Sequence, residues 1–240
     1  MLIGTVELGG RRLRVGHRAG EPTLLIFNGI GADIELMRPL IEALEGFGIV
    51  IFDMPGIGGS APSLLPYSFA AMAQLADELL GRLGHDGAVD VMGYSWGGAL
   101  AQQFVRQYPE RCRKLVLAAT TAGAVMIPGQ PASWARLAGS LHQTGNRIGQ
   151  LYQLMATVGW TSIHWLHRLA QPCLVLTGER DTIVPPANGL LLASHLANAR
   201  LQSLEGGHLF IRDQAASVAK TLRTFLREEG STTSSQGTAS

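Results

Sequence analysis

The sequence predicts an α/β domain with a mostly parallel central sheet, helices on both faces and a short inserted cap. Three observations carry this reading. Short continuous apolar runs recur along the chain, of the kind that is buried on both faces of a parallel sheet. They alternate with stretches whose apolar residues repeat at spacings of three and four. One region, from Thr121 to about Trp160, breaks the rhythm between two strands and is too long for a plain crossover.

Each element has its own signal. LIGTVEL and RLRVGH read as two strands of a hairpin turned at Gly9-Gly10. TLLIFN (Thr23 to Asn28) is a fully apolar strand. Asp33 is placed to cap a following helix with Ile34, Met37, Leu40, Ile41 and Leu44 on one face. GIVIFD is the next strand, MPGIGGSAPSLLP a turn-rich loop in which Asp53 is placed as a structural brace, and Ser68 to Leu83 a second helix. AVDVMG, KLVLAAT and CLVLTG are three more strands, with LQSL a short last one. Helices are expected at Trp96–Tyr108, Thr161–Leu169, Pro186–Leu196 and about Asp213 to Glu229. The small, polar GSTTSSQGTAS has nothing to bury and reads as a disordered tail. The expected division is a core of residues 1–120 and 161–229, a cap at 121–160 and a tail at 230–240.

Bulk composition narrows the function. At 240 residues with 46% apolar and 15% charged content, the chain is long enough for one domain with a full core. A formal charge of +1, without a block of lysine and arginine, argues against nucleic acid as the partner. No apolar run reaches about 18 residues, so no membrane span is expected. MLIGTVELGGRR lacks the apolar segment of a signal peptide, which makes a cytosolic location the default. Cys112 and Cys173 read as buried reduced thiols.

The chemistry begins at GYSWG. A buried strand, then Gly-Tyr-Ser-Trp-Gly, then a helix is the pattern that places a serine on a sharp, strained turn with its Oγ exposed. Gly93 and Gly97 remove side chains that would strike the neighbouring strand or helix, and Gly98 and Ala99 allow close helix–sheet packing. Ser95 is the candidate nucleophile. It needs a base, and the base needs an orienting acid, in the chain order serine, carboxylate, histidine.

The loop after CLVLTG offers Glu179 and Asp181; Asp181 lies three residues past Gly178 with Pro185 beyond, and Glu179 reads better as a surface partner of Arg180. Of seven histidines, His208 follows a Gly-Gly turn after the last strand. His17 and His85 precede the serine, His142 falls in the cap, and His195 lies on a helix with no glycine turn. His164 and His167, three apart on one expected helix, make a weak metal signal without a third ligand. An oxyanion hole is expected from the backbone N–H groups of Trp96 and Ile30, with Asn28 and Gly29 shaping the loop that carries Ile30. This chemistry requires no metal and no organic cofactor.

The segments LLIFNGIGA, FDMPGIGGS, SWGGALAQQF, YPERC, KLVLAATTAGAVMIPG, GWTSIHWLH and GGHLF together resemble the α/β-hydrolase superfamily over roughly Leu24 to Leu226. Within it they resemble the intracellular medium-chain-length poly(3-hydroxyalkanoate) depolymerases. That resemblance implies the α/β-hydrolase fold, Ser95 as nucleophile, Asp181 as acid and His208 as base. It also implies hydrolysis of a storage polyester of 3-hydroxy fatty acids at the surface of cytoplasmic granules. The cap is shorter than the family pattern, with residues missing near Ser140. Trp134, Tyr152, Met155 and Trp160 are therefore either exposed by the loss or packed on the core. Two rivals share the triad, a 3-hydroxyacyl transferase and a general carboxylesterase acting on small acyl esters. A non-catalytic binding protein would tolerate loss of a triad member, and none is missing.

Overall fold

A computed structural model describes residues 1–141 and 147–228. Its frame is one eight-stranded sheet in the order β1-β2-β4-β3-β5-β6-β7-β8. β1 (Leu2–Leu8) and β2 (Arg11–Arg18) form the antiparallel hairpin, and β2 also pairs antiparallel with β4 (Gly48–Phe52). The other strands run parallel: β3 (Thr23–Phe27), β5 (Val89–Tyr94), β6 (Cys112–Ala118), β7 (Cys173–Gly178) and β8 (Ala199–Leu204). β3, β4, β5 and β7 are buried along their whole length, which is why their sequences are apolar without alternation.

Helices cover both faces. α1 (Ile34–Ala43), the one-turn α7 (Phe210–Asp213) and α8 (Ala215–Arg227) close one core against Ile26, Ile51 and Met92. α2 (Phe69–Arg82), α3 (Trp96–Gln107) and α6 (Ala187–His195) lie on the other face, where Leu25, Phe27, Val91 and Leu117 point. Asp33 caps α1 through the N–H of Glu35, and Ser68 caps α2 through that of Ala71. Cations close two helix ends, as the dipole favours: Arg18 donates to the carbonyls of Ile41, Leu44 and Phe47, and Lys114 to those of Phe225 and Glu228.

The strand order reverses direction at β3, so the loops after β3 and β5 diverge and leave a crevice at their carboxyl ends. Two further helices, α4 (Pro131–Leu141) and α5 (Arg147–Thr157), lie in the stretch between β6 and β7.

Three expectations change. Thr161–Leu169 is not an α-helix: Thr161 bridges Gly123, a turn follows, and only Leu166–Arg168 makes a short 3₁₀ turn. The Thr161 hydroxyl accepts from the N–H of Ile163 and donates to the carbonyl of Ala122, competing for the backbone groups that would start a helix. His164 and His167 therefore share no helical face, and no group of three metal-ligating side chains occurs among the described residues. The last helix begins at Ala215 rather than Asp213, because Gln214 leaves helical geometry at φ −117 and separates α7 from α8. His142, Glu229 and the expected tail at 230–240 lie outside the described residues.

The aromatic residues of the 121–160 stretch divide. Trp160 is half-buried against Phe69 and Trp165, and its indole N–H donates to Gln103 Oε1 at 3.0 Å. Tyr152 sits edge-on to Tyr67, whereas Trp134 and Met155 are exposed. α5 is inverted relative to an ordinary surface helix. Its buried residues are Gly149, Gln150 and Gln153, while Ile148, Leu151, Leu154 and Met155 face outward.

Candidate active site

Ser95 occupies the single-residue turn between β5 and α3 with φ 53 and ψ −120, a conformation a side chain adopts only under constraint. The constraint is steric. A Cβ at Gly93 would fall 2.3 Å from the Gly97 oxygen, and one at Gly97 would fall 2.2 Å from the Phe27 oxygen. Only glycine at both positions lets β3, β5 and α3 approach this closely. The Ser95 N–H donates to the Ala118 carbonyl at 2.9 Å, and the Ser95 carbonyl accepts from the N–H of Gly98 and the hydroxyl of Thr120.

His208 reaches the serine from the other side of the crevice. The turn Glu205–Gly207 after β8 lets the chain double back, with Gly206 at φ 120. His208 Nε2 lies 3.0 Å from Ser95 Oγ, and His208 Nδ1 lies 2.7 Å from Asp181 Oδ2. A carboxylate cannot donate, so the Nδ1–H donates to Asp181 and leaves Nε2 free to accept the serine proton. Asp181 is itself held, because its Oδ1 accepts the N–H groups of Ile183 and Val184 at 2.9 Å each. His208 and Asp181 are buried and Ser95 is partly exposed. Glu179 is exposed, and Arg180 pairs with Glu205 rather than with Glu179.

The loop after β3 lies against the serine. A Cβ at Gly29 would meet Tyr94 Cε1 at 3.1 Å and Ser95 Cβ at 3.6 Å. Asn28 is buried, its Oδ1 accepting the Gly29 N–H at 2.9 Å and its amide donating to the Asp33 carbonyl. Asp53 braces the same region by accepting from the N–H groups of Ile34 and Gly59 and from Arg14. Burial pushes the Asp53 carboxyl above the usual carboxylate range, against the pull of those donors. Ile30, Ser95 and His208 line one cavity of about 920 Å³, together with Leu36, Leu137 and Ile183. Trp96 is the first residue of α3, so its N–H belongs to the helix start; its indole packs on Phe69 at 4.8 Å.

Three side chains that touch this arrangement are not among the candidates named from the sequence. The Tyr94 hydroxyl donates to the His208 carbonyl at 2.9 Å, Thr120 holds the Ser95 carbonyl, and Gln153 of α5 contacts both the Ile30 loop and Trp96. Tyr94 and Thr120 flank recognisable strand ends, so a reading of strand termini has access to them. Gln153 sits mid-helix between Tyr152 and Leu154 and offers no such handle.

A strained serine on a strand-to-helix turn, a histidine on it and a buried carboxylate behind define a class. Residues 22–148 match a family described as the alpha/beta hydrolase fold, and residues 160–238 match one described as TAP-like protein. The chain belongs to the α/β-hydrolase family. It is 44% identical to the poly(3-hydroxyalkanoate) depolymerase of Ectopseudomonas oleovorans, over 265 aligned positions covering 95% of this chain and 93% of the relative. The alignment is longer than this 240-residue chain, so part of the relative has no counterpart here. Among solved structures, a hydrolase from Pseudomonas aeruginosa superposes with a TM-score of 0.81 at 23% identity, covering 94% of this chain and 98% of that one. The enol-lactonase of Burkholderia xenovorans superposes at 0.80 and 20% identity, covering 94% of this chain and all of that one. These two likenesses speak for the fold.

Proposed function

We propose that the chain hydrolyses the ester bonds of a medium-chain poly(3-hydroxyalkanoate) through an acyl-serine on Ser95. The observation that carries the chemistry is the unbroken chain of contacts from Ser95 Oγ through His208 to Asp181. His208 Nε2 takes the serine proton as Oγ attacks the ester carbonyl. The resulting oxyanion rests on the N–H groups of Ile30 and Trp96, each donor being typically worth about two to three powers of ten in rate. His208 then protonates the leaving oxygen, which is the hydroxyl end of the next polymer unit. Water, deprotonated by the same histidine, attacks the acyl-serine and releases the carboxylic acid. Asp181 keeps the imidazole in the required tautomer and stabilises its protonated form.

The substrate class rests on the 44% identity to the depolymerase. A surface for the polymer is also at hand. The outward face of α5 (Ile148, Leu151, Leu154 and Met155) continues into Val158, 82% exposed, and Leu64 is 96% exposed. α5 carries no acidic side chain, and such a face suits an apolar polyester granule in the cytoplasm. In this reading residues 121–160 form a cap on a core of 1–120 and 161–229, shortened relative to the family.

The test is release of 3-hydroxy acids from medium-chain polyester particles by wild type and by Ser95→Ala. Release by wild type alone is expected. Intact polymer, with short esters still cleaved in a Ser95-dependent way, would assign the site to small acyl esters. Products that divert onto an added thiol acceptor would assign it to acyl transfer.

A further inference from the structure

We infer that Gln153 is a positioning residue that fixes both halves of the oxyanion hole from the helix above it, an inference that rests on the roles given to Ile30 and Trp96. Gln153 is fully buried. Its Oε1 accepts the backbone N–H of Gly31 at 2.8 Å, and its main-chain carbonyl accepts the indole N–H of Trp96 at 2.8 Å. One residue of α5 thus holds the peptide that follows Ile30 and the side chain of the residue that follows Ser95.

The loop needs such a tether. Gly31 sits at φ 67, a conformation glycine adopts freely and also leaves freely. The Gly29 carbonyl accepts the Ala32 N–H at 3.2 Å, but without an external acceptor for the Gly31 N–H the peptide after Ile30 is free to rotate and to carry Ile30 with it, and a donor turned away from the oxyanion stabilises nothing. Trp96 is pinned similarly, between the Phe69 ring and the Gln153 carbonyl.

The chemistry of the residue also speaks against simple packing. Gln153 Nε2 is buried with no hydrogen-bond partner among the described residues. An unmet amide inside a protein is costly, and a leucine or methionine would fill the same space without that cost. What glutamine supplies and those residues do not is the acceptor for Gly31. α5 is held close enough to provide it by a backbone-to-backbone contact, since a Cβ at Gly149 would fall 2.2 Å from the Gly56 oxygen.

The test compares Gln153→Met and Gln153→Glu with wild type on a soluble medium-chain p-nitrophenyl ester, with active sites titrated. Methionine keeps the length and removes the acceptor. Its kcat per titrated site is expected to fall roughly 10- to 100-fold with KM within about twofold. Affinity for an alkyl trifluoromethyl ketone, whose serine adduct places an oxyanion in the hole, is expected to fall by the same factor. Glutamate keeps the acceptor but adds an ionisable group beside the hole. Its kcat/KM relative to wild type is expected to fall as pH rises and the carboxyl ionises. A residue that only packs would lower the titrated fraction and move neither ratio.

Unchanged inhibitor affinity in Gln153→Met would overturn the inference, as would a flat pH ratio in Gln153→Glu. If the methionine variant does not fold, the glutamate variant decides. Ser95→Ala run alongside separates the two levels. Activity retained there overturns the site reading itself, whereas activity lost there with no effect at Gln153 overturns this inference alone.

Discussion

Thr120 Oγ1 donates to the main-chain oxygen of Ser95 at 2.7 Å, so the end of β6 holds the nucleophile's turn from the neighbouring strand. A non-glycine residue at positive φ carries about 1–3 kcal/mol of strain and persists only where its surroundings over-determine it. Thr120→Val keeps the shape and removes the donor. The Ser95 carbonyl still accepts from Gly98, so it is not orphaned, and the expected loss is about 0.5–1.5 kcal/mol of stability. Ester turnover should fall by less than about tenfold as Oγ gains freedom. Urea denaturation and ester kinetics check the pair, and no change in either would show the contact to be idle.

Gly97 and Gly98 are adjacent, yet their substitutions should behave differently. A Cβ at Gly97 meets backbone, the Phe27 oxygen at 2.2 Å and the Asn28 oxygen at 2.5 Å. At Gly98 the nearest atoms are side-chain ones, the Thr120 Cβ and Oγ1 at 2.4 Å and Cγ2 at 2.5 Å. Gly98→Ala should therefore recover stability when combined with Thr120→Gly, which removes all three of these atoms, while Gly97→Ala should gain nothing from it. A double-mutant cycle on unfolding free energies gives the answer. Equal coupling in both pairs would contradict the steric account.

The strands and the turn residues were legible because local chemistry decides them. TLLIFN can only be a buried strand, and Ser95, Asp181 and His208 each lie close to a glycine that ends an element. Segment Thr161–Leu169 departs from the expected helix because the Thr161 hydroxyl takes backbone bonds that periodicity does not register. The helices of the inserted stretch and the orientation of α5 were not legible either, since a break in the rhythm marks an insertion without saying that a helix in it turns its polar side inward. Gln153 is the sharpest case. In sequence it is one glutamine in a helix, and its partner Gly31 lies 122 residues away.

His17 Nε2 and His85 Nε2 lie 3.2 Å apart at the hairpin side of the sheet. Burial and the neighbouring His17 lower the His85 pKa below its ordinary value of 6.5, with Arg111 acting in the same direction and Glu21 and Asp86 opposing. The unfolded chain then binds the proton more readily than the folded one. The stability this group contributes is complete above about pH 6.5 and is lost as pH falls through the lower folded value. Wild type should therefore lose stability relative to His85→Gln on acidification below about pH 6.5. Parallel melting-temperature curves for the two proteins would remove the pair as the cause.

Tyr94 is the residue before the nucleophile, and its hydroxyl donates to the main-chain carbonyl of His208 at 2.9 Å. The two rings also pack against each other at a tilt of 37°, with centroids 5.3 Å apart. The element that carries the nucleophile therefore also holds the base, across 114 residues of sequence. Burial raises the Tyr94 phenol far above its usual range, so it stays a neutral donor near neutral pH. Tyr94→Phe keeps the ring against the imidazole and strips the donor from a buried carbonyl, which should cost about 1–3 kcal/mol of stability. The His208 turn is then held by fewer bonds, and Nε2 should spend less time within reach of Ser95 Oγ. The acylation rate should fall with little change in KM, while the pH at which activity is half-maximal stays fixed, because the imidazole keeps Asp181. A large shift in that pH would show that Tyr94 acts on the charge of the base instead of its position.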